Sequence, residues 1–230
     1  ANMGVVAGGA TNIGGSTTTG VITLSGSVYN VGGNIALEGS GFTINGSSDV
    51  LMITSGDTVD FNVGASGSGA ITIAENKLTI DTDTTDTSGG NITIAGDIIG
   101  SDTGTASNIS ADVVLDAVAA TVSVKGIGHN TGGAVNDEIN DVTLTGGTVK
   151  VVGQINTTGH TSGGNDPGTV TINGALELQG DTTINTDDTG TTLDGGVSIT
   201  GNVDGNGAGA KEKLTITSGS GAIDFGGHIG

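Results

Sequence analysis

The stretch LTITSGSGAIDF, Leu214 to Phe225, decides the reading of this chain because LMITSGDTVDF, Leu51 to Phe61, is nearly the same unit with one residue fewer. In both, apolar residues alternate with Thr, Asp or Met on either side of a Ser-Gly pair. Leu214, Ile216, Ile223 and Phe225 correspond to Leu51, Ile53, Val59 and Phe61. The pattern reads as strand, corner, strand, repeated along the chain.

The commonest element is apolar-x-apolar-x-Gly, as in Ile22 to Gly26, Phe42 to Gly46, Ile92 to Gly96, Val122 to Gly126 and Val142 to Gly146. It continues as Val149 to Gly153, Val170 to Gly174 and Val197 to Gly201. Two side chains face inward, a polar one faces outward, and the glycine supplies a corner with positive φ. Short second runs such as Ala175 to Leu178 extend each unit around the corner. A spacing of about 20 to 22 residues implies roughly ten stacked coils, a rod about 50 Å long at the usual strand spacing. The alternation places Ile44, Ile73, Ile94, Val124, Leu144, Val151, Ile172, Leu178, Ile199 and Ile216 inside. Ala111 to Ala120 reads as strand, because Val113 and Leu115 alternate about Val114.

Composition fits a thin stacked core. Glycine accounts for 46 of 230 residues and aromatics for 2%, so a conventional aromatic-rich core is excluded. Regular aliphatic triplets exclude a solvated linker. The net charge of −19, with 24 acids against five lysines, disfavours phosphate backbones and hence nucleic acid as a partner. The absence of cysteine removes disulfides and thiolate chemistry. No apolar run approaches membrane-helix length. At Ala1 there is no basic segment followed by an apolar one, which points to a processed chain or a segment of a longer one.

Polar insertions interrupt the coils at Asp81 to Gly90, Gly100 to Asp112, Gly126 to Asp141, Asn156 to Gly168, Asp181 to Gly196 and Asp204 to Lys213. Occurring about once per coil, they are expected to line up as a single acidic ridge.

These coils, the Thr/Asn/Asp-rich insertions and the ending from Gly219 to Gly230 resemble the β-strand-repeat proteins of the filamentous-haemagglutinin and large-adhesin type. The resemblance spans nearly the whole chain. It implies a right-handed parallel β-helix, exported, serving as a stalk, adhesin or surface fibre. The expectation is one β-solenoid domain over residues 1–230, extracellular or at the cell surface, structural or adhesive, without catalytic or cofactor-binding residues. The bare ends, Ala1 to Gly9 and Ile223 to Gly230, suggest end-to-end self-association.

Other chemistries compete with this role. A polysaccharide-binding or polysaccharide-cleaving β-helix is the alternative. A lyase would need a basic residue among acids, but Lys77, Lys125, Lys150, Lys211 and Lys213 are scattered, and Asp187 and Asp188 are adjacent only in sequence. Acids converging with a lysine in one groove would favour that alternative. His129, His160 and His228 lack metal-ligand spacing. No cofactor is expected; hard oxygen ligands of the kind calcium takes stand at Asp81, Asp83, Asp86, Asp102, Asp137, Glu138, Asp141, Asp187 and Asp188, but the helix-loop-helix calcium pattern begun by Asp81-Thr82-Asp83 fails at Asp86, where it needs Gly. A calcium-roll nonapeptide is absent. Thr17 to Thr19, Thr191, Thr192 and the outward Thr23, Thr72, Thr93, Thr143 and Thr171 resemble an ice-binding array, although Thr is also a good strand residue. Asn45, Asn91, Asn108 and Asn156 begin glycosylation sequons, the last two read as loop positions.

Overall fold

The computed structural model describes residues 5–7, 11–14, 20–45, 49–63, 69–73, 77–85, 87–100, 111–128, 139–157, 167–187, 194–207 and 211–230. Among them there are strands and no helix. Taken coil by coil, β1 (Val5–Ala7), β2 (Thr11–Gly14) and β3 (Val21–Leu24) form the first. The second comprises β4 (Val28–Val31), β5 (Ile35–Gly39) and β6 (Gly41–Ile44), and the third β7 (Val50–Ile53), β8 (Val59–Val63) and β9 (Ala70–Ile73). In the next coils long strands bend around a corner: β10 (Leu78–Asp81) with β11 (Ile92–Gly100), then β12 (Val113–Asp116) with β13 (Thr121–Ile127). The sixth and seventh are β14 (Val142–Val151) with β15 (Gln154–Asn156), and β16 (Val170–Leu178) with β17 (Thr182–Asn185). The eighth is β18 (Val197–Ile199), β19 (Val203–Gly205) and β20 (Leu214–Thr217), and β21 (Ile223–Phe225) opens a ninth.

Every strand pairs in parallel with its equivalent one coil away, which makes a three-sided parallel β-solenoid. The first column runs β1, β4, β7, β10, β12, β14, β16, β18, β21, nine strands deep. The second runs from β2 to β19, where Ile229 adds a single bridge to Val203. The third runs from β3 to β20. Nine strands at a spacing of about 4.8 Å give a body about 40 Å long. The expected count of roughly ten coils is therefore too high. The reason is the period: Tyr29 pairs with Met52, 23 residues on, whereas Ile80 pairs with Leu115, 35 residues on. The apolar-x-apolar-x-Gly motif marks a side rather than a coil. Val142–Leu144 and Val149–Val151 are two sides of the same turn.

Inside, identical positions stack. In the first column Met52, Ile80, Leu115, Leu144, Ile172, Ile199 and Phe225 form one inward line. Along the third, Phe42, Ile71, Ile98, Ile127, Ile155, Ile184 and Ile216 form another. Such columns remove aliphatic surface from water without a thick core, each side chain being covered by the rungs above and below. Phe42 and Phe61 meet edge to face, their ring centroids 5.1 Å apart. Of the residues expected inside, all are buried except Ile216, which is half-buried because β20 pairs with β17 alone.

The two similar stretches that define the repeat occupy different corners. Leu51 to Phe61 runs from the first column to the second, and Leu214 to Phe225 from the third to the first. Their registers also differ by one residue. Leu214 and Ile216 lie on inward lines, whereas Val50 and Met52 are buried and Leu51 and Ile53 point outward, half-exposed. A one-residue slip reverses the faces of a strand, and here it corrects the expectation for Leu51 and Ile53.

The corner glycines are also used differently from the expectation. Of those ending the motif, Gly174 alone among the described residues has positive φ. At Gly201 a Cβ would lie 2.4 Å from the carbonyl oxygen of Gly174 one coil away, so close coil-to-coil approach demands the glycine.

The insertions do not all fall between the same two columns. The strands on either side of 101–110, 129–138, 158–166 and 188–193 belong to the third column and then the first. Asp81 to Gly90 lies between the first and second, and Asp204 to Lys213 between the second and third. The proposed insertion at Asp181 to Gly196 begins too early, because Thr182–Asn185 is β17, the third side of its coil.

Candidate functional site

At a corner the ladder of backbone bonds is interrupted, and side chains take over. Just before a strand, an Asp or Asn accepts a backbone N–H from the following coil. Asn34 Oδ1 accepts from Thr58 at 3.0 Å, Asp49 from Lys77 at 3.2 Å and Asn91 from Thr121 at 3.0 Å. Asp112 accepts from Asp141 at 3.1 Å, and Asp181 from Lys213 at 3.0 Å. Asn202 accepts from His228 at 3.0 Å, which places that histidine at the last corner. These short acceptors satisfy donors that would otherwise depend on water. Much of the Asp and Asn content is thereby structural.

Asp83 accepts a dense set of hydrogen bonds. Its Oδ1 accepts from the Thr85 N–H at 2.8 Å and hydroxyl at 2.5 Å, and Oδ2 from the N–H groups of Thr87 and Ser88 at 3.0 and 2.7 Å and the Thr87 hydroxyl at 3.0 Å. The Thr85 hydroxyl bond, followed by the Ser88 and Thr85 N–H bonds, holds its carboxyl well below the usual range. Asp81 in turn accepts the Asp83 N–H at 2.9 Å. Of the acids named for calcium, Asp81, Asp83 and Asp141 thus have backbone partners, Asp141 through Thr169 at 2.7 Å. The Asp187 N–H donates to Asn185 Oδ1. Asp86, Asp102, Asp137, Glu138, Asp188, His129 and His160 lie outside the described residues. Among the described residues no three His, Cys, Asp or Glu side chains group as a metal site would require.

One groove does gather charge from several coils. It has a volume of about 290 Å³ and is lined by Asp97, Lys125, Val152, Gln154, Asp181 and Thr183 among others. Lys125 Nζ donates to Asp97 Oδ2 at 3.0 Å, and Val152 is exposed beside them. Sequence spacing alone missed this group, because its members lie on successive coils, as Asp97 and Lys125 do with a separation of 28 residues. A further ion pair, Lys150 with Glu177 at 3.2 Å, joins neighbouring rungs of the second column, and Gln179 also donates to Glu177. On the same column Asp60 is pushed up, first by burial and then by Glu38.

The outward threonines do not make one array. Thr23 and Thr72 belong to the third column, Thr93 to the second, and Thr143 and Thr171 to the first. Thr17 to Thr19, Thr191 and Thr192 lie outside the described residues, as does Asn108. Asn156, read as a loop position, instead ends β15, and the exposed Asn91 spends its side-chain oxygen on the Thr121 N–H.

Compared with models of protein families, with curated proteins and with solved structures, the chain matches none.

Proposed function

We propose that this chain is a non-catalytic structural or adhesive solenoid of the extracellular space or cell surface, a subunit or segment of a fibre, stalk or filament that extends end to end. The carrying observation is that all three columns repeat the same parallel rung in register, so that the inward aliphatic lines run the length of the described stack. Ile223 and Ile229 occupy the same inward lines as Val197 and Val203, which are buried, yet they are 46% and 63% exposed. Edge strands with an apolar interior are covered by a further strand or cap in stable arrays. The chain is also uncharged up to Glu38 despite its net charge of −19. Two ends can therefore approach with little repulsion between the contacting coils. Electron microscopy and light scattering of the native material across salt concentrations test the reading. Filaments or rods longer than about 40 Å are expected; single rods one chain long overturn end-to-end extension.

A second reading, polysaccharide binding, is favoured by the groove at Lys125. It offers a cation, carboxylates, an amide and a hydroxyl beside the exposed Val152, donors and acceptors suited to sugar hydroxyls. Titration calorimetry against neutral and amino-sugar oligosaccharides decides it: binding lost in Lys125→Ala and Asp181→Asn supports it, and no heat with any of them rules it out.

A further inference from the structure

The buried hydroxyls form a pattern that neither reading uses. In register on the third column, one residue beyond Asn156, Asn185 and Thr217, stand Thr157, Thr186 and Ser218, all buried. Each closes on a glycine of the returning chain. Thr157 Oγ1 donates to the Gly168 carbonyl at 2.7 Å, and the Gly168 N–H donates back to the Thr157 carbonyl at 3.1 Å. For Thr186 and Gly195 the two distances are 2.6 and 3.1 Å, and for Ser218 and Gly221 they are 3.0 and 2.6 Å. The pairing is the same, while the chain between the partners is 158–167, 187–194 or only 219–220. The three glycines are themselves stacked: a Cβ on Gly195 would fall 2.0 Å from the Gly168 carbonyl oxygen, and one on Gly221 2.1 Å from that of Gly195. In the early coils the same inward line carries Leu24, Ile44 and Ile73, all buried aliphatics.

We infer that this corner is a loop-mounting port: a Thr or Ser hydroxyl and a glycine amide close the coil beneath the loop, so sequence of any length can be displayed outside it without altering the core. The hydroxyl satisfies a buried carbonyl at the point where the ladder stops, and the glycine lets the returning chain lie flat on the coil below. The coil is then indifferent to the length of chain between the partners, apart from the weak dependence of closure entropy on length. Such a port suits the variable, partner-facing segments of a display scaffold, and it does not depend on the adhesive reading.

Three variants of the full chain test it by circular dichroism and thermal melting. Replacing 158–167 with Gly-Ser, copying the Ser218–Gly221 corner, is expected to keep the β spectrum and a Tm within about 5 °C of the parent. A ten-residue Gly/Ser segment inserted between Gly219 and Ser220 is expected to do the same. Thr157→Val is expected to lower Tm by about 5 °C, and by the same amount in the shortened background. Unfolding of both length variants overturns the port, as does a Thr157→Val variant that melts with the parent. A Thr157→Val loss that disappears in the shortened background shows that the hydroxyl serves the loop rather than the coil, and also overturns it.

Discussion

Asp141 Oδ1 accepts both the N–H and the hydroxyl of Thr169, one coil further on, at 2.7 and 2.9 Å. The Asp141 N–H itself donates to Asp112, so acids at this corner form a relay in which each coil provides the acceptor for the next. Truncating Asp141 to Ala is expected to cost about 1–2 kcal/mol, because an N–H loses a charged acceptor. Asp141→Asn keeps an acceptor oxygen and is expected to cost less. Urea midpoints of the two variants check this; equal losses count against the relay.

The inward column at Ile172 gives a sharper expectation. Ile172 is fully buried between Leu144 and Ile199, so Ile172→Asp places a carboxylate among aliphatics and is expected to cost more than about 4 kcal/mol. Ile172→Ala is expected to cost about 2–5 kcal/mol. Ile216→Ala, on the half-buried last rung, is expected to cost clearly less. Denaturant melts of the three should rank in that order, and a tolerated Ile172→Asp would reject the register.

Two acids should pull the pH profile in opposite directions. The Asp83 carboxyl is depressed in the folded state, so its contribution is present above the unfolded value of about 3.9 and lost as pH falls below it. Asp83→Ala is therefore expected to destabilise at neutral pH, with the difference from the parent shrinking in acid. Asp60 is raised, so its folded form favours the proton, and its ionisation costs stability as pH rises above about 3.9. Asp60→Asn is expected to stabilise at neutral pH and to lose that gain in acid. Urea melts from acid to neutral pH read both effects, and parallel profiles would reject them.

Calcium is expected to leave the melting curve unchanged, since the described candidate ligands Asp81, Asp83 and Asp141 already accept backbone N–H groups. Thermal melts with chelator and with added calcium measure it. A rise in Tm with calcium would overturn this expectation.

The alternation of Val170, Ile172, Val197 and Ile199 with polar residues was legible because a strand buried on one face has a period of two, and parallel stacking follows from repeating it. Ala111 to Ala120 likewise yielded its strand, Val113–Asp116. Alternation does not say which of three sides a strand occupies. For that reason Leu51 to Phe61 and Leu214 to Phe225 look alike yet turn different corners, and the coil length was underestimated. The destinations of the acids were equally hidden. Asp141 meets Thr169, and Lys125 meets Asp97, only because stacking brings residues about one turn apart in sequence to neighbouring rungs. Residue types and local spacing determined that strands would form and stack. Register between coils, a property of the tertiary structure alone, decided which face each side chain takes and which polar groups meet.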